Sequence, residues 1–209
     1  MPARRWHEGV MILGITGNIA SGKSRVAARM VELGAVALSA DQLAREAVGP
    51  GSDTLTKLVA VFGDAILAAD GSLDRPRLAE IVFADAEARK RLEAITHPAI
   101  ARLAEERLRR LRQEGHRLVV YEAPLLFEAG AEGRVDRVLV VLAATEVRLA
   151  RLMARDGLER EAALSRIRAQ MPQEEKAARA DYVIDNSGDW EDCRRQVDDL
   201  YRRLVSSPA

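Results

Sequence analysis

Short apolar runs punctuate this chain at residues 11–16, 35–38, 118–121, 138–142 and 182–184. Several are rich in Val, Ile and Leu without polar alternation. A strand covered on both faces reads this way, because neither side of its pleat meets water. Helical patterns separate the runs. Strand and helix in alternation predict βαβ units, hence an α/β fold around five mostly parallel strands.

The first helix should open just after the first run and reach about Leu33, with Gly34 just past its end. About 80 residues between the second and third runs carry no strand signal, too many for a structureless loop in a compact domain. Ile100, Leu103, Ala104, Leu108 and Leu111 form one apolar stripe, and Gly115 follows it. Pro98 suits a first helical turn, so a break between two helices is expected at Thr96-His97. The pattern therefore predicts a helical insertion over residues 42–115. A last helix should start near Asp189, which can cap it, and run to about Leu204. Residues 11–209 read as one domain carrying that insertion, and residues 1–10 as a loose extension.

Composition narrows the class. A chain of 209 residues, 48% hydrophobic and 31% charged, is globular rather than disordered. Lys+Arg and Asp+Glu are both 32, so the net charge of zero argues against a dedicated nucleic-acid binder. Cys193 is the only cysteine, which excludes an intrachain disulfide and a cysteine zinc site and fits a reducing compartment, the cytoplasm. No apolar run approaches the roughly 20 residues that span a bilayer, so no membrane association is expected.

The chemistry concentrates after the first run. Gly17-Asn18-Ile19-Ala20-Ser21-Gly22-Lys23-Ser24 fits G-x-x-x-x-G-K-[ST], and it stands between a predicted strand and a predicted helix, the context this phosphate-binding loop needs. Gly17 and Gly22 permit close backbone approach. Loop N–H groups and the helix N-terminus then face the phosphates. Lys23 places a point charge on the β/γ oxygens, and Ser24 offers a hydroxyl to Mg²⁺. Only four of the 32 basic residues are Lys, so a Lys at this position is conspicuous.

Other candidates lie where parallel strands end, since ligands in open α/β sheets sit beyond the carboxyl ends. Asp41 follows the second run. It either orients an acceptor hydroxyl or caps the next helix, and position alone leaves both open. Glu122 follows the third run and could hold Mg²⁺ through water or contact substrate; in the Ala123-Pro124-Leu125-Leu126-Phe127-Glu128 stretch after it, Glu128 reads otherwise as a solvated charge and Leu125 to Phe127 as a core patch. Arg148, Arg151 and Arg155 are spaced by three and four and share one helix face, with Leu149, Leu152 and Met153 opposite. They form either a solvated face or the root of a hinged lid over residues 155–175, whose arginines would stabilise a phosphoryl group in transfer and exclude water. Asp185-Asn186-Ser187-Gly188 is a turn or a nucleotide contact, and His97 a packing residue or a ligand contact.

In order along the chain, GITGNIASGKS, SADQLAREAVGPG, GSLDRPRLAEIVF, LEAITHPAI, EAPLLFEAG, RLARLMARDGL, RIRAQM and DYVIDNSG together resemble the dephospho-coenzyme A kinase family. The resemblance implies a P-loop kinase fold with a helical acceptor-binding insertion and a lid. It implies transfer of the γ-phosphate of ATP to the ribose 3′-hydroxyl of dephospho-CoA, with Mg²⁺, by a cytoplasmic monomer or small homo-oligomer. ATP would be bound by Gly17, Asn18, Ile19, Ala20, Ser21, Gly22, Lys23, Ser24, Arg25 and Asn186. The acceptor would meet Asp41, Arg45, His97, Pro124, Leu125 and Glu128. Asp41, Lys23 and Arg155 would act in catalysis. The chain departs from the family pattern at Ser39, where Asp is frequent, at Arg25 for Thr, at Arg148 for Gln and at Glu122 for Val or Asp. Two competing readings are a kinase for another small alcohol and a nucleotide switch; against the latter, no Asn-Lys-x-Asp guanine signature occurs.

Overall fold

A computed structural model describes residues 9–206. The expected extension over residues 1–10 lies outside these apart from its last two residues. Five strands form one sheet: β1 (Met11–Thr16), β2 (Val36–Ser39), β3 (Leu118–Glu122), β4 (Arg137–Leu142) and β5 (Tyr182–Asp185). Their order is β2-β3-β1-β4-β5 and every pairing is parallel. The strand order reverses on either side of β1, so the loop after β1 opens at the topological switch point, where such sheets bind ligands. Register aligns the strand ends. Glu122 stands opposite Ile15 on one side and Ser39 on the other, and Leu142 stands opposite Asp185.

The uninterrupted apolar runs are explained by burial. All six residues of β1 are buried, and Val119, Val120, Val138, Leu139, Val140 and Val141 are wholly inaccessible. On one face the sheet packs against α1 (Lys23–Glu32) through Val26, Ala27 and Met30. The final helix (Trp190–Ser206) covers the same face through Cys193, Val197, Leu200 and Leu204. The first helix closes as its sequence predicts: Ala35 N–H donates to Met30 carbonyl and Gly34 N–H to Val31 carbonyl, the paired bonds of a glycine C-terminal cap.

Backbone contacts divide the chain into two compact units. One runs to Ser39 and resumes at Leu108; the other is Ala40–Arg107. The second contains α2 (Ala40–Ala47), α3 (Asp53–Phe62), α4 (Arg75–Ala84) and most of α5 (Ala86–Gln113). Ser52 Oγ accepts from Leu55 N–H at the start of α3, and Asp74 Oδ1 from Arg77 N–H at the start of α4. Val48, Leu58, Ile66 and Leu78 form the buried core of this unit. The break expected at Thr96-His97 does not occur: α5 runs through it with Pro98 inside. A proline removes one backbone donor. In a helix of 28 residues the turns on either side hold the geometry, and Thr96 Oγ1 donates back to Leu92 carbonyl within this turn.

Beyond β4 come α6 (Thr145–Asp156), α7 (Arg160–Arg168), α8 (Gln173–Ala178) and, after β5, α9 (Trp190–Ser206). Asp189 caps α9 as expected, its Oδ1 accepting from Asp192 N–H at 2.9 Å. Leu149, Leu152, Ala163 and Ile167 knit α6 to α7.

Candidate active site

The loop from Gly17 to Ser24 joins β1 to α1, and its shape excludes larger residues at two points. A Cβ on Gly17 would lie 2.5 Å from the Val141 carbonyl oxygen. One on Gly22, where φ is +91°, would lie 2.1 Å from Asn186 Nδ2. Ala20, at the turn between them, also adopts positive φ (61°), a conformation that residues with a Cβ hold only when their surroundings enforce it. Those surroundings are specific. Asn186 Nδ2 donates to Ser21 carbonyl at 2.7 Å, Asn18 Nδ2 to Met171 carbonyl at 2.9 Å, and Ile19 N–H to Gln170 Oε1 at 2.6 Å. The loop is thus held by the turn after β5 on one side and by the α7–α8 connection on the other.

Lys23 is the first residue of α1, so the loop delivers it to a helix N-terminus. Ser24 Oγ donates to Glu122 Oε1 at 2.5 Å, which places a hydroxyl and a carboxylate together at the ends of α1 and β3. Arg151 Nη2 donates to Asn186 carbonyl at 3.0 Å, and its Nη1 comes within 3.9 Å of the Cβ position built on Gly22. Among the described residues, Asn18 Oδ1, Ser21 Oγ and Arg151 Nη1 are buried without a hydrogen-bond partner. Unpaired buried polar atoms are uncommon, and three around one loop mark a place built for a polar ligand. The hydroxyl–carboxylate pair adds hard oxygen donors, the type that magnesium takes.

A dephospho-CoA kinase family model matches residues 11–192, which include this loop, the helical unit and the turn after β5. The chain belongs to the dephospho-CoA kinase family. It is 55% identical to the dephospho-CoA kinase of Geobacter sulfurreducens over 192 residues, 92% of this chain and 98% of that one. It is likewise 55% identical to that of Syntrophotalea carbinolica, over 94% and 93% of the two chains. Among solved structures, the dephospho-CoA kinase from Campylobacter jejuni superposes with a TM-score of 0.74 at 34% identity, covering 93% of this chain and 96% of that chain. The shikimate kinase from Acinetobacter baumannii, in complex with shikimate, superposes with a TM-score of 0.53 at 15% identity over 95% of both chains and shares the fold alone.

In this dephospho-CoA kinase family member, the loop after β3 is also tightly held. Leu126 and Phe127 are buried while Leu125 is 54% exposed. Pro124 carbonyl accepts from Thr16 Oγ1 at 3.1 Å and from Lys176 Nζ at 3.3 Å. Glu128 pairs with Lys176, Nζ to Oε1 2.7 Å, so its carboxylate has a fixed partner although the residue remains exposed.

The arginine trio does not form one solvated face. Arg148 is buried, with Nε donating to Ala143 carbonyl and Nη2 to Thr145 Oγ1. Burial pushes its guanidinium below the ordinary arginine range, against the opposing charge of Glu174. Arg151 sits at the phosphate loop. Arg155 is exposed and forms two bonds to Asp156, whose hydrogen bonds raise the arginine and hold the aspartate carboxyl below its usual range. Arg25 stacks over Trp190, 3.9 Å from the ring centre.

Asp41, Arg45 and His97 lie in the Ala40–Arg107 unit and all three are exposed. Asp41 stands in the first turn of α2, which begins at Ala40, so it is not that helix's cap. Arg45 lies one turn on, on the same face. Glu122 and Arg151 were weighed from the sequence only as open alternatives, and Gln170 and Lys176 were missed. Glu122 had a usable signal, the carboxyl end of a strand. The others depend on pairings between distant segments.

Proposed function

We propose that this chain transfers the γ-phosphoryl group of ATP to the ribose 3′-hydroxyl of dephospho-CoA, giving CoA and ADP, the last step of coenzyme A synthesis. Membership of the dephospho-CoA kinase family from residue 11 to residue 192 carries this reading, and the shaped phosphate loop supports it. The backbone N–H groups from Gly17 to Ser24 and the N-terminus of α1 take the triphosphate, and Lys23 places its charge at the transferring group. Ser24 and Glu122 are the residues that would hold Mg²⁺, since both offer oxygen. Bound there, the ion would supply positive charge to offset that of the phosphates. Arg151 and Arg155 bring positive charge along α6 toward the same phosphates, and the 155–175 segment serves as the lid that excludes water.

Asp41 orients the 3′-hydroxyl and accepts its proton as the new P–O bond forms and the bond to ADP breaks. Arg45, His97, Pro124, Leu125 and Glu128 contact the acceptor. Asn186 shapes the nucleotide site through Ser21. The enzyme works in the cytoplasm; no helix among the described residues is long and apolar enough to cross a membrane.

ADP release should depend on dephospho-CoA and require Mg²⁺. A panel of alcohol acceptors, assayed for ADP under identical conditions, tests this. Faster turnover with a nucleoside or another small alcohol overturns the acceptor assignment.

A further inference from the structure

Lys176 is the one wholly buried basic side chain among the described residues, and none of the roles above uses it. It projects from α8 into the loop after β3. Its Nζ lies 2.7 Å from Glu128 Oε1 and donates to the Pro124 carbonyl at 3.3 Å. Burying an ammonium group is unfavourable by several kcal/mol on its own, and a well-formed pair offsets this only when geometry and extra hydrogen bonds are good. A hydrophobic residue would fill the same space more cheaply, so the retained charge points to a positional demand on the loop.

The rest of α8 grips the same loop. One turn on, Arg179 lies 4.3 Å over the Phe127 ring and pairs with Glu132. Residues three apart at a helix and its cap share a face, so α8 and its C-cap residue Arg179 present two basic groups to the segment from Pro124 to Glu132. From below, Thr16, the last residue before the phosphate loop, donates to the same Pro124 carbonyl that Lys176 holds. Just before α8, Gln170 and Met171 bind the phosphate loop itself. The chain from residue 170 to residue 179 thus ties the phosphate loop to the loop after β3. Between its anchors Leu126 and Phe127 are buried, and Leu125 is left facing solvent.

We infer that Lys176 is a positioning residue for the acceptor: by fixing Pro124 and Glu128 it sets the backbone from which Leu125 and Glu128 meet the acceptor substrate. This rests on the dephospho-CoA reading of the same loop. Lys176 touches neither reacting group, so its loss should weaken acceptor binding and leave ATP binding intact.

The test is Lys176→Met, which keeps length and removes charge, with Arg179→Met as a milder variant on a partly exposed residue. Lys176→Met should raise KM for dephospho-CoA by about tenfold or more and leave KM for ATP within about twofold, since small displacements of positioning groups have effects of this size. Hydrogen exchange at residues 123–130 should quicken in the same variant. Equal rises in both KM values, or a lowered melting temperature with neither KM changed, overturn the inference. If Lys176→Met does not fold, Arg179→Met decides: a rise of a few fold in acceptor KM alone supports it, and unchanged KM values overturn it. Wild-type protein that leaves dephospho-CoA untouched but phosphorylates another alcohol overturns the acceptor reading instead. The split between acceptor and ATP is then measured with that alcohol, and the same outcomes apply.

Discussion

At the scale of single residues, two positions separate geometry from chemistry. Gly22 is a matter of space. Its positive φ and the Asn186 amide 2.1 Å from any added Cβ leave no room for a side chain. Gly22→Ala should therefore force the loop off Asn186, lower stability by about 1–3 kcal/mol and remove measurable ATP binding. Calorimetric titration with ATP beside urea melts checks both; full ATP affinity would show that the loop relaxes freely. Asp41 is a matter of chemistry. It is exposed and does not cap α2, so locally a carboxylate there gains only the small benefit of a negative charge in the helix's first turn. Asp41→Asn keeps the shape and removes the proposed proton acceptor. It should lower kcat by about 10²-fold or more while ATP affinity and melting temperature hold. An unchanged kcat would leave Asp41 without a catalytic role, because phosphoryl transfer can run on positioning and electrostatics alone.

At the scale of elements, the sheet was legible because its strands are buried on both faces and so lack polar alternation; each predicted run lies within a residue or two of an observed strand. The phosphate loop was legible because its constraint is local, a strand and a helix joined by glycines. The pairings that complete the site were not. Ser24 and Glu122 are 98 residues apart, Gln170 and Ile19 151, and Asn186 and Ser21 165. No periodicity encodes them, since a side chain's partner across the sheet depends on strand order. Pro98 misled for the opposite reason: a strong local signal was overridden by the continuity of α5. Another such long-range pair joins α1 to α9. Arg29 Nε and Nη2 donate to the two oxygens of Asp198 at 2.7 and 2.9 Å, and these bonds hold the Asp198 carboxyl below its usual range. A depressed aspartate pKa gives stability that is complete above the ordinary value of about 3.9 and lost as pH falls through the lower folded value. Asp198→Asn should thus be less stable than wild type at neutral pH, and the difference should shrink in acid. Urea melts at pH 7 and pH 3 measure it, and a difference that persists at pH 3 would mean the pair acts by shape rather than charge.

At the scale of the whole molecule, the proposed site residues are distributed over two compact units. The phosphate loop, Glu122, Arg151, Asn186 and the loop held by Lys176 belong to one, while Asp41, Arg45 and His97 belong to the other. The two units have separate cores, one built on the sheet and one on Val48, Leu58, Ile66 and Leu78. A ligand that binds one unit stabilises that unit first, because protection from exchange follows the local free energy of opening. A non-hydrolysable ATP analogue at about a hundred times its Kd adds roughly 2.7 kcal/mol to whatever it binds. Alone, it should slow amide exchange at residues 17–25, 170–171 and 186 and leave residues 40–107 nearly unchanged. Dephospho-CoA added to that complex should slow exchange at residues 41–45, near His97 and at residues 123–128. Protection by dephospho-CoA confined to the sheet unit would remove Asp41, Arg45 and His97 from the acceptor site together. Protection in both units would mean that the acceptor engages residues of both and would keep Asp41, Arg45 and His97 in the proposed acceptor site.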